Sequence, residues 1–466
     1  MRWSSRPRPR RWCRLVAMLF AMLCVGCSGV ARTPVSSTPA ACTGRALTPA
    51  SNVQAAISAA PPGSTFCFGP GIYRVSALIP KSGDVLDGGR QAAILDGGSS
   101  ASYAVYGNSS SPGPSDVTIR GFVIRDYHSQ LQYGAIDDVN GPGWVIQGNH
   151  ITHNAAVGVE TGDEVKVLDN LIDWNGQEGF GAAGYGGLYE GNEIAYNNFK
   201  LAVDPGWEAG GGKAWATDDL TFESNYVHDN GGTGLWADTN NINTVFDHNI
   251  VSNNRGPGIY DEISYNATIT NNIVTGNGMP SAPGSDKGQG WAWEAGIQVR
   301  ASGGLSPSSP LIIAHNTVID NFNGITLLQS PSPNACYDKP IHEGLYGPCR
   351  VQNVIVEDNY ITMSQGMTGE VQDGTNNSMF MSWNNHWLNN HYCVVSAVHP
   401  ADGYAYGWLG WMNHYRSWSA WQAYGLDKSG TFKVGGICKA PSSAQSSDAE
   451  GNLMGGMPEV SSVTRK

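Results

Sequence analysis

Two acidic residues, Asp238 and Glu262, occupy the same position in two consecutive repeats of this 466-residue chain. Asp238 lies 13 residues after Asn225, and Glu262 lies 13 residues after Asn249. If each repeat forms one coil of stacked strands, the two carboxyl groups lie on neighbouring strands, roughly 4.8 Å apart. Two carboxyl groups about 5–5.5 Å apart can serve as nucleophile and acid/base in the hydrolysis of a glycosidic bond. The repeat spacing therefore predicts a catalytic pair.

The repeat that would position this pair is Asn-x-(Ile/Val), with a second Asn five residues later. Its coils of 21 to 24 residues fit three short strands and are too short to bury their own apolar side chains, so they must stack on one another. Asn tolerates the left-handed backbone of a tight bend, and aligned Asn residues can form amide ladders. The pattern predicts an all-β solenoid, and it recurs at Asn149/Asn154, Asn170/Asn175, Asn192/Asn197, Asn225/Asn230, Asn249/Asn254, Asn272/Asn277, Asn316/Asn321 and Asn359.

These repeats, together with residues 53–63 and the following Gly69-Pro70-Gly71-Ile72-Tyr73, resemble the right-handed parallel β-helix superfamily, which includes pectate lyases. The resemblance covers about residues 48 to 400. It implies a single-stranded right-handed parallel β-helix of PbH1-type repeats, with an N-terminal capping helix and long loops. We place the β-helix at residues 42–375, a Trp-rich C-terminal cap at 376–440 and a disordered tail at 441–466.

The N-terminus predicts export. Residues 1–26 read as a signal peptide, because six arginines precede or enter an apolar run that is too short to span a membrane. Cys24-Val25-Gly26-Cys27 resembles the lipobox of bacterial lipoproteins, which implies lipidation at Cys27 and a tether at 27–41. Under this interpretation the lipid is the only membrane attachment. The alternative is a plain secretory signal cut after Ala31.

Composition limits the partners. Without the six arginines of the signal segment, 21 Lys and Arg face 39 Asp and Glu. Such an acidic chain is not expected to bind nucleic acid, and its charge also disfavours polyanionic glycans. We expect a polysaccharide or oligosaccharide as the ligand, and a monomer.

The cysteines predict disulfides. Six cysteines follow Cys27, and an even number in an exported chain is typical of disulfide bonding. Fifteen pairings are possible, and proximity along the chain favours Cys42–Cys67, Cys336–Cys349 and Cys393–Cys438. These six cysteines form no Cys-x-x-Cys motif and no Cys/His cluster, so we expect no metal site.

Register predicts what surrounds the acidic pair. If Leu235 and Ala237 point inward, alternation along the strand turns their neighbours outward on one face. Asp261 would then point inward, unless it replaces Glu262 in its role. The strand at residues 296–300 fits the same slot of the next coil, so the outward patch contains Trp236, Asp238, Tyr260, Glu262, Gln298 and Arg300.

Long insertions are expected to form loops that wall a cleft over this patch, since long loops in compact repeats are usually functional. One lies before Asn225 and carries Trp207, Glu208, Gly210-Gly211-Gly212-Lys213 and Trp215. A second lies between Asn277 and Gly296, and a third spans about residues 330 to 350. We include Glu208 and Lys213 among the substrate-binding candidates.

Residues 234–238 and 258–262 resemble the catalytic strands of β-helix β-xylosidase-type glycosidases. The resemblance implies a retaining glycoside hydrolase for a plant or microbial polysaccharide, with Asp238 as nucleophile and Glu262 as acid/base. Asp238 would raise the pKa of Glu262. Arg300 would oppose this, so either Arg300 binds substrate or the two acids exchange roles.

Two alternatives remain. A polyuronate lyase or epimerase would need a Lys or Arg base and usually calcium, for which Lys213, Arg300, Asp204 and Asp218 are available. A noncatalytic glycan-binding surface protein would need neither acid for chemistry. Under the hydrolase interpretation no cofactor is required.

Overall fold

The computed structural model describes residues 42–108, 110–278, 292–329, 345–372, 377–397, 408–436 and 438. Within them the chain winds through three long β-sheets, and successive coils add one strand to each sheet. Every strand pair is parallel except the last one of the third sheet, which is antiparallel. The predicted all-β parallel β-helix is confirmed.

The strands are short, as three bends per coil require. The first sheet contains β1 (Arg45–Leu47), β2 (Thr65–Phe68), β4 (Val85–Asp87), β7 (Thr118–Arg120), β10 (Val145–Gln147), β13 (Lys166–Leu168), β16 (Leu188–Glu190), β19 (Thr221–Glu223), β22 (Val245–Asp247), β25 (Thr268–Thr270), β28 (Leu311–Ala314), β31 (Val354–Glu357) and β34 (His386–Leu388). The second contains β3 (Gly71–Tyr73), β5 (Ala93–Asp96), β8 (Phe122–Arg125), β11 (His150–Thr152), β14 (Leu171–Asp173), β17 (Glu193–Ala195), β20 (Tyr226–His228), β23 (Ile250–Ser252), β26 (Ile273–Thr275), β29 (Thr317–Ile319), β32 (Tyr360–Met363), β35 (His391–Val394) and β38 (Thr431–Val434). The third contains β6 (Val105–Tyr106), β9 (Gly134–Asp138), β12 (Val157–Thr161), β15 (Glu178–Tyr185), β18 (Gly210–Asp218), β21 (Thr233–Asp238), β24 (Ile259–Glu262), β27 (Ala295–Arg300), β30 (Asn323–Gln329), β33 (Thr368–Gln372), β36 (Leu409–Trp411) and β37 (His414–Arg416).

The core lies inside the coils, where one side chain from each strand repeats at the same position on every rung. In the second sheet this column contains Ile194, Val227, Val251 and Val274, all fully buried. Each of these side chains contributes about 1.5–3 kcal/mol through burial. The columns explain why units of about twenty residues are stable only as a stack.

The predicted asparagine ladders are confirmed, and they hold two of the three bends together. The Asn225 side chain donates from Nδ2 to Asn249 Oδ1 at 3.0 Å, and the same oxygen accepts the Asn225 backbone N–H. The second ladder repeats this at Asn230 and Asn254. A Cβ at Gly234 would lie 2.9 Å from Asn254 Nδ2 and 2.5 Å from a carbonyl oxygen, so the ladder requires glycine beside it.

The two ends of the solenoid are covered differently. Helix α1 (Val53–Ala59) caps the N-terminal end, as predicted, with Asn52 as its N-cap and Val53, Ala56 and Ile57 buried. At the other end, α2 (Ser378–Met381) and α3 (Trp418–Ala423) accompany four tryptophans that are almost fully buried: Trp387, Trp408, Trp411 and Trp421. The predicted boundary at residue 375 falls inside the solenoid, because β34, β35, β36 and β38 continue its sheets.

Two of the predicted disulfides, Cys42–Cys67 and Cys393–Cys438, are formed. Cys349 is also disulfide-bonded, whereas Cys336 lies outside the described residues. So do the predicted signal peptide, Cys27, the tether and the tail after residue 440. No helix among the described residues is both long and apolar enough to cross a membrane.

Candidate functional site

The outward column of the third sheet forms the floor of the candidate site. Strand pairing aligns Glu160 with Gly181, Gly181 with Lys213, Lys213 with Trp236, Trp236 with Tyr260, and Tyr260 with Gln298. The predicted alignment of Trp236, Tyr260 and Gln298 is therefore confirmed. The rings of Trp236 and Tyr260 are stacked, with centroids 5.3 Å apart and planes 16° from parallel.

A second column, two residues further along each strand, carries the acidic pair. Asp238 is the direct partner of Glu262 in the pairing of β21 with β24, and Glu262 is the partner of Arg300 in the pairing of β24 with β27. This register is the one that the Asn spacing predicts. The three side chains stand on consecutive strands on the outside of the β-helix.

These outward side chains are nevertheless buried, because neighbouring segments cover them. Trp236, Tyr260 and Glu262 are each no more than 5% exposed. A groove of about 810 Å³ runs over the floor. We call it the groove; it is lined by Gln132, Glu160, Glu178, Trp207, Glu208, Lys213, Trp215, Trp236, Asp238, Glu262 and Arg300, and it adjoins a smaller pocket that includes Tyr260, Trp293, Glu294 and Gln298.

One prediction about the covering segments is wrong. Gly210-Gly211-Gly212-Lys213 and Trp215 were expected in a loop, but they lie in β18. A Cβ at Gly212 would meet the Phe180 ring at 2.2 Å, so the glycines let this strand approach its neighbour closely. Only the preceding part of the insertion, with Trp207 and Glu208, forms a loop. Lys213 is consequently a floor residue with a fixed position on the sheet.

Lys213 organises one half of the site. Its Nζ lies 2.8 Å from Asp238 Oδ2 and 3.8 Å from Glu208 Oε1, donates to the Trp207 carbonyl oxygen at 2.9 Å, and stands 4.4 Å from the Trp236 ring centroid. Burial lowers the pKa of Lys213, but the charges of Asp238 and Glu208 outweigh it, and the net pKa is raised. The side chain therefore stays an ammonium ion and pairs with Asp238.

Glu262 occupies a different environment. Burial raises the pKa of its carboxyl to about 7, and the nearby charge of Asp238 adds to the rise, whereas Arg300 and the Tyr260 hydroxyl oppose it. The Arg300 guanidinium donates a hydrogen bond to Glu262 Oε1 and also stacks over the Trp293 ring at 4.9 Å. At neutral pH a substantial fraction of Glu262 is protonated, while its register partner Asp238 is ion-paired with Lys213.

Three further acids line the groove on the N-terminal side. Burial raises the pKa of Glu160 and of Glu178 well above the ordinary value, and the charge of Glu208 contributes to both shifts. Gln132 donates a hydrogen bond from its side chain to Glu208. The sequence analysis did not select Glu178, the first residue of β15, although it aligns through Gly210 with Thr233, which lines the smaller pocket.

Asp261 does not belong to the groove. It pairs with Ala237 and Val299, two fully buried residues of the inward-facing column, and is itself fully buried. Burial raises the pKa of its carboxyl to about 7, a rise that the Ser302 hydroxyl reduces and Glu262 adds to. The expectation that Asp261 points inward is confirmed, so its carboxyl group lies outside the groove.

Within the described part of the chain, no group of three or more His, Cys, Asp or Glu side chains is arranged to hold a metal ion. Of the residues named for calcium under the lyase interpretation, Asp204 lies in the loop before β18, and Asp218 ends that strand. They are not part of the groove lining.

Comparison with known proteins identifies the fold. Residues 134–307 match a family model described as the right-handed beta helix region. No curated protein sequence matches the chain. Solved structures with a similar fold include the A-module of mannuronan C-5 epimerase AlgE6 from Azotobacter vinelandii, with 18% identity, a TM-score of 0.50, and coverage of 84% of this chain and 94% of that one.

Two weaker likenesses have lower scores. The AlgE4 A-module from the same organism has 15% identity and a TM-score of 0.46, covering 73% of this chain and 90% of that one. XylC in complex with xylose has 10% identity and a TM-score of 0.44, covering 73% and 80%. Together with the three parallel sheets, the family match and the AlgE6 likeness identify the fold as a right-handed parallel β-helix.

Proposed function

We propose that the groove binds a glycan and that Asp238 and Glu262 hydrolyse one of its glycosidic bonds with retention of configuration. The observation that carries this proposal is the direct register of the two carboxyl groups on adjacent strands, at the floor of a groove that covers them both. Adjacent strands lie roughly 4.8 Å apart, close to the about 5–5.5 Å between carboxyl groups in retaining glycosidases.

The two environments support different roles. Asp238 is paired with an ammonium group at 2.8 Å, which suits a carboxylate nucleophile. Glu262 has a pKa raised to about 7 by burial first and by the charge of Asp238 second, which suits a group that must donate a proton near neutral pH. Neighbouring acids whose environments separate their proton affinities are typical of acid and nucleophile assignments.

The reaction then proceeds in two steps. An Asp238 oxygen attacks the anomeric carbon and forms an ester bond, while the proton of Glu262 passes to the glycosidic oxygen and the C–O bond to the leaving sugar breaks. In the second step Glu262, now a carboxylate, takes a proton from water, and the resulting hydroxide displaces Asp238 from the anomeric carbon. Glu262 ends protonated and Asp238 ends as a carboxylate, so the site is restored.

The groove walls support a glycan as the ligand. Trp207 and Trp215 are 45% and 54% exposed at its rim and present apolar ring surface against which the C–H groups of a sugar can pack. The Trp236 Nε1 is buried and finds no hydrogen-bond partner among the described residues, so it offers a donor to a ligand hydroxyl.

Charge favours a neutral glycan over a polyuronate. Five acids line the groove, and its two cations, Lys213 and Arg300, are already engaged with Asp238 and Glu262. A ligand carboxylate would have to displace one of these pairs and lie beside the remaining acids, which costs free energy.

The alternative is a polyuronate lyase or epimerase, and the AlgE6 module of similar fold is named as an epimerase. The side chains needed for that chemistry, Lys213 and Arg300, line the groove. A Lys base must be neutral, however, and the acids around Lys213 raise its pKa. The electrostatics therefore favour hydrolysis over proton abstraction by Lys213. A noncatalytic glycan-binding protein is the third possibility.

The test is a glycan-panel assay of wild type, Asp238→Asn, Glu262→Gln and the matched control Glu223→Gln; Glu223 is the register partner of Asp247 on the first sheet. Reducing sugar and the ultraviolet absorbance of unsaturated uronate are read in parallel. We expect sugar release that is lost in the two groove variants and kept in the control. Unsaturated product that survives both variants but disappears in Lys213→Met would establish a lyase. Binding without product on any glycan would establish the noncatalytic function.

We further propose that the protein is exported. Disulfides such as Cys42–Cys67 and Cys393–Cys438 persist in oxidising compartments. Lipidation at Cys27 and a monomeric state stay predictions, as does a requirement for calcium under the lyase alternative. Palmitate labelling of wild type and Cys27→Ala distinguishes an anchored protein from one that is released.

A further inference from the structure

The bend between the second and third sheets contains bulky aromatic residues where the backbone favours small ones. The first residue after each second-sheet strand adopts a left-handed backbone on eight consecutive coils, from β8 to β29. Asn, Asp, His and Gly adopt this conformation more readily than other residues, but for a bulky residue it is an outlier. Six coils follow this rule and two, at Trp174 and Tyr196, depart from it: the φ values are 58° at Asp126, 55° at His153, 53° at Trp174, 55° at Tyr196, 53° at Asp229, 55° at Asn253, 66° at Gly276 and 45° at Asp320.

The departures form one cluster. The rings of Trp174 and Tyr196 stack with centroids 4.6 Å apart and planes 12° from parallel, and His153 stacks on the other side of Trp174 at 6.2 Å. Phe199 meets Trp174 edge to face at 5.4 Å. We call Trp174, Tyr196, Phe199 and the adjacent Leu201 the aromatic shelf.

The aromatic shelf is at the surface, so burial in the core does not explain it. Tyr196, Phe199 and Leu201 are 36%, 37% and 40% exposed. Disfavoured backbone conformations persist where something compensates for them, and they concentrate at binding sites. An Asn at these positions would fold with less strain, as Asn253 does on a neighbouring coil. The aromatic rings are therefore retained at a cost to stability.

On the coils that follow Tyr196, the residues at this bend position are small, and a recess of about 530 Å³ lies beside them. The aromatic shelf forms its apolar wall, and Asp229, Asn253 and Gly276 lie along it on the following coils. Asp229 and Asn253 are exposed, and one Asp229 oxygen lies 2.8 Å from His228 Nδ1. The recess thus combines an aromatic wall with carboxylate and amide groups that can bind hydroxyls.

The recess lies next to the smaller pocket of the site described above. Arg255 lines both this recess and the smaller pocket that holds Tyr260, Glu262 and Arg300. A chain of sugar rings that extends from the groove through the smaller pocket would therefore meet the recess and the aromatic shelf on the other side of Arg255. Aromatic rings attract the polarised C–H groups of a sugar through their negative faces, and the hydroxyl groups of the same sugar are left to face Asp229 and Asn253.

We propose that the aromatic shelf is a second glycan-binding site that holds a distal part of the same polysaccharide chain whose cleavage is proposed in the groove. The proposal rests on the proposed function for the identity of the ligand as a glycan. Its consequence is a preference for long chains: an oligosaccharide that spans both sites binds more tightly than one that fills the groove alone, because the second contact becomes intramolecular.

The test compares Trp174→Asn and Tyr196→Asn in the Asp238→Asn background, so that binding is measured without cleavage. Leu388→Asn, which removes an exposed apolar side chain from the first sheet, is the control. Titration calorimetry uses hexasaccharides and disaccharides of β-1,4-xylose, β-1,4-glucose, β-1,3-glucose and β-1,4-mannose as probes. We expect at least one hexasaccharide to bind about three- to tenfold more weakly to both shelf variants, with disaccharide affinity and control unchanged.

Thermal unfolding checks that the variants are folded, and both shelf variants should have a melting temperature equal to or above that of their parent. Unchanged hexasaccharide affinity in both variants, or no binding of any probe to the parent, overturns the proposal. Light scattering that shows a dimer in the parent and a monomer in Trp174→Asn also overturns it, since the aromatic shelf would then bind a second copy. If the shelf variants lose affinity but wild type hydrolyses no glycan, the second site stands and the hydrolase proposal fails.

Discussion

Acids lie in register on adjacent strands at several places in this molecule, and a pair inside the groove can be compared with a pair outside it. On the third sheet Asp238 pairs with Glu262, and on the first sheet Glu223 pairs with Asp247. Asp247 is partly exposed and fully supplied with hydrogen bonds, since Thr270, Asn271 and His248 contact its two oxygens at 2.7 to 2.8 Å. Glu262, in contrast, is buried between Asp238 and Arg300.

The pKa values of Asp247 and Glu262 are shifted in opposite directions. Burial raises the pKa of Asp247, but the hydrogen bonds from Asn271, Thr270 and His248 outweigh it, and the net pKa lies below the ordinary value. At Glu262, burial and the charge of Asp238 prevail, and the pKa rises to about 7. The repeat places acids side by side in both sheets. Of these two pairs, only the one beneath the segments that cover the third sheet contains an acid whose pKa is raised to about 7.

The largest expected effect separates the two pairs by activity. Glu262→Gln should lower kcat on a natural glycan on the order of 10²–10⁴-fold, because proton donation to the leaving oxygen is lost. Asp238→Gly should lose at least as much, and added azide should restore part of the rate by taking the place of the missing carboxylate. Glu223→Gln and Asp247→Asn should keep the wild-type kcat. Equal losses at both pairs would mean that the substitutions act through folding.

The second effect concerns stability and its sign. The raised pKa of Glu262 means that the folded state binds its proton more tightly than the unfolded state does. The stability that protonated Glu262 contributes is therefore fully present below about pH 4.5 and is lost as the pH rises through about 7. Glu262→Gln also removes the ion pair with Arg300, so the prediction concerns the change with pH: relative to wild type, the variant should be on the order of 1–3 kcal/mol more stable at pH 8 than at pH 5. Denaturant unfolding at the two pH values measures this gain.

Asp247→Asn is the matched variant with the opposite expectation. Because folding lowers the pKa of Asp247, its carboxylate stabilises the fold at pH values above the ordinary pKa of an aspartate. This contribution is lost as the pH falls through the lowered pKa of the folded state. Loss of the charge-assisted hydrogen bonds should cost about 1 kcal/mol at pH 7. A gain in stability for Asp247→Asn, or a stability of Glu262→Gln relative to wild type that does not rise from pH 5 to pH 8, would contradict the contrast between the two environments.

The smallest effect is a shift in pH dependence. Activity needs protonated Glu262, so kcat/KM should fall as pH rises above about 7. Arg300 lowers the pKa of Glu262, and Arg300→Met should move this fall to higher pH by about one unit. His248→Asn, beside Asp247 on the first sheet, should leave the profile in place. A profile that is unchanged in Arg300→Met would remove Glu262 as the acid.

Most of the fold could be predicted because the repeat specifies it. Each Asn of the ladders fixes one bend, and the alternation between bends fixes which side chains point outward, so the alignment of Asp238, Glu262 and Arg300 followed from counting. The end of the solenoid, placed near residue 375, was harder to predict from the sequence. The last coils keep only one Asn ladder, at Asn390, and Asp427 ends it. An Asp in place of Asn breaks the pattern but keeps the acceptor oxygen.

The environment of the site was harder to predict. The insertion before Asn225 was expected to form one long loop, because it adds residues to a regular coil, yet Gly210–Asp218 is a strand packed on Phe180. The Lys213–Asp238 ion pair follows from that strand and could not be foreseen from a loop. Counting back twelve residues from Asn225 does give Lys213 the outward position that Tyr260 has before Asn272, so the signal was present in the repeat.

The most direct test of the central claim is the identity of the residue that becomes covalently bound to sugar. Wild type is incubated with a 2-deoxy-2-fluoro glycoside of whichever sugar the glycan panel selects, and the labelled peptide is mapped by mass spectrometry. We predict one sugar per chain, esterified to Asp238, and none on Asp238→Asn, while Glu223→Gln is labelled like wild type. A label on Glu262 would reverse the two roles, and a first product of inverted anomeric configuration without any label would contradict the retaining mechanism.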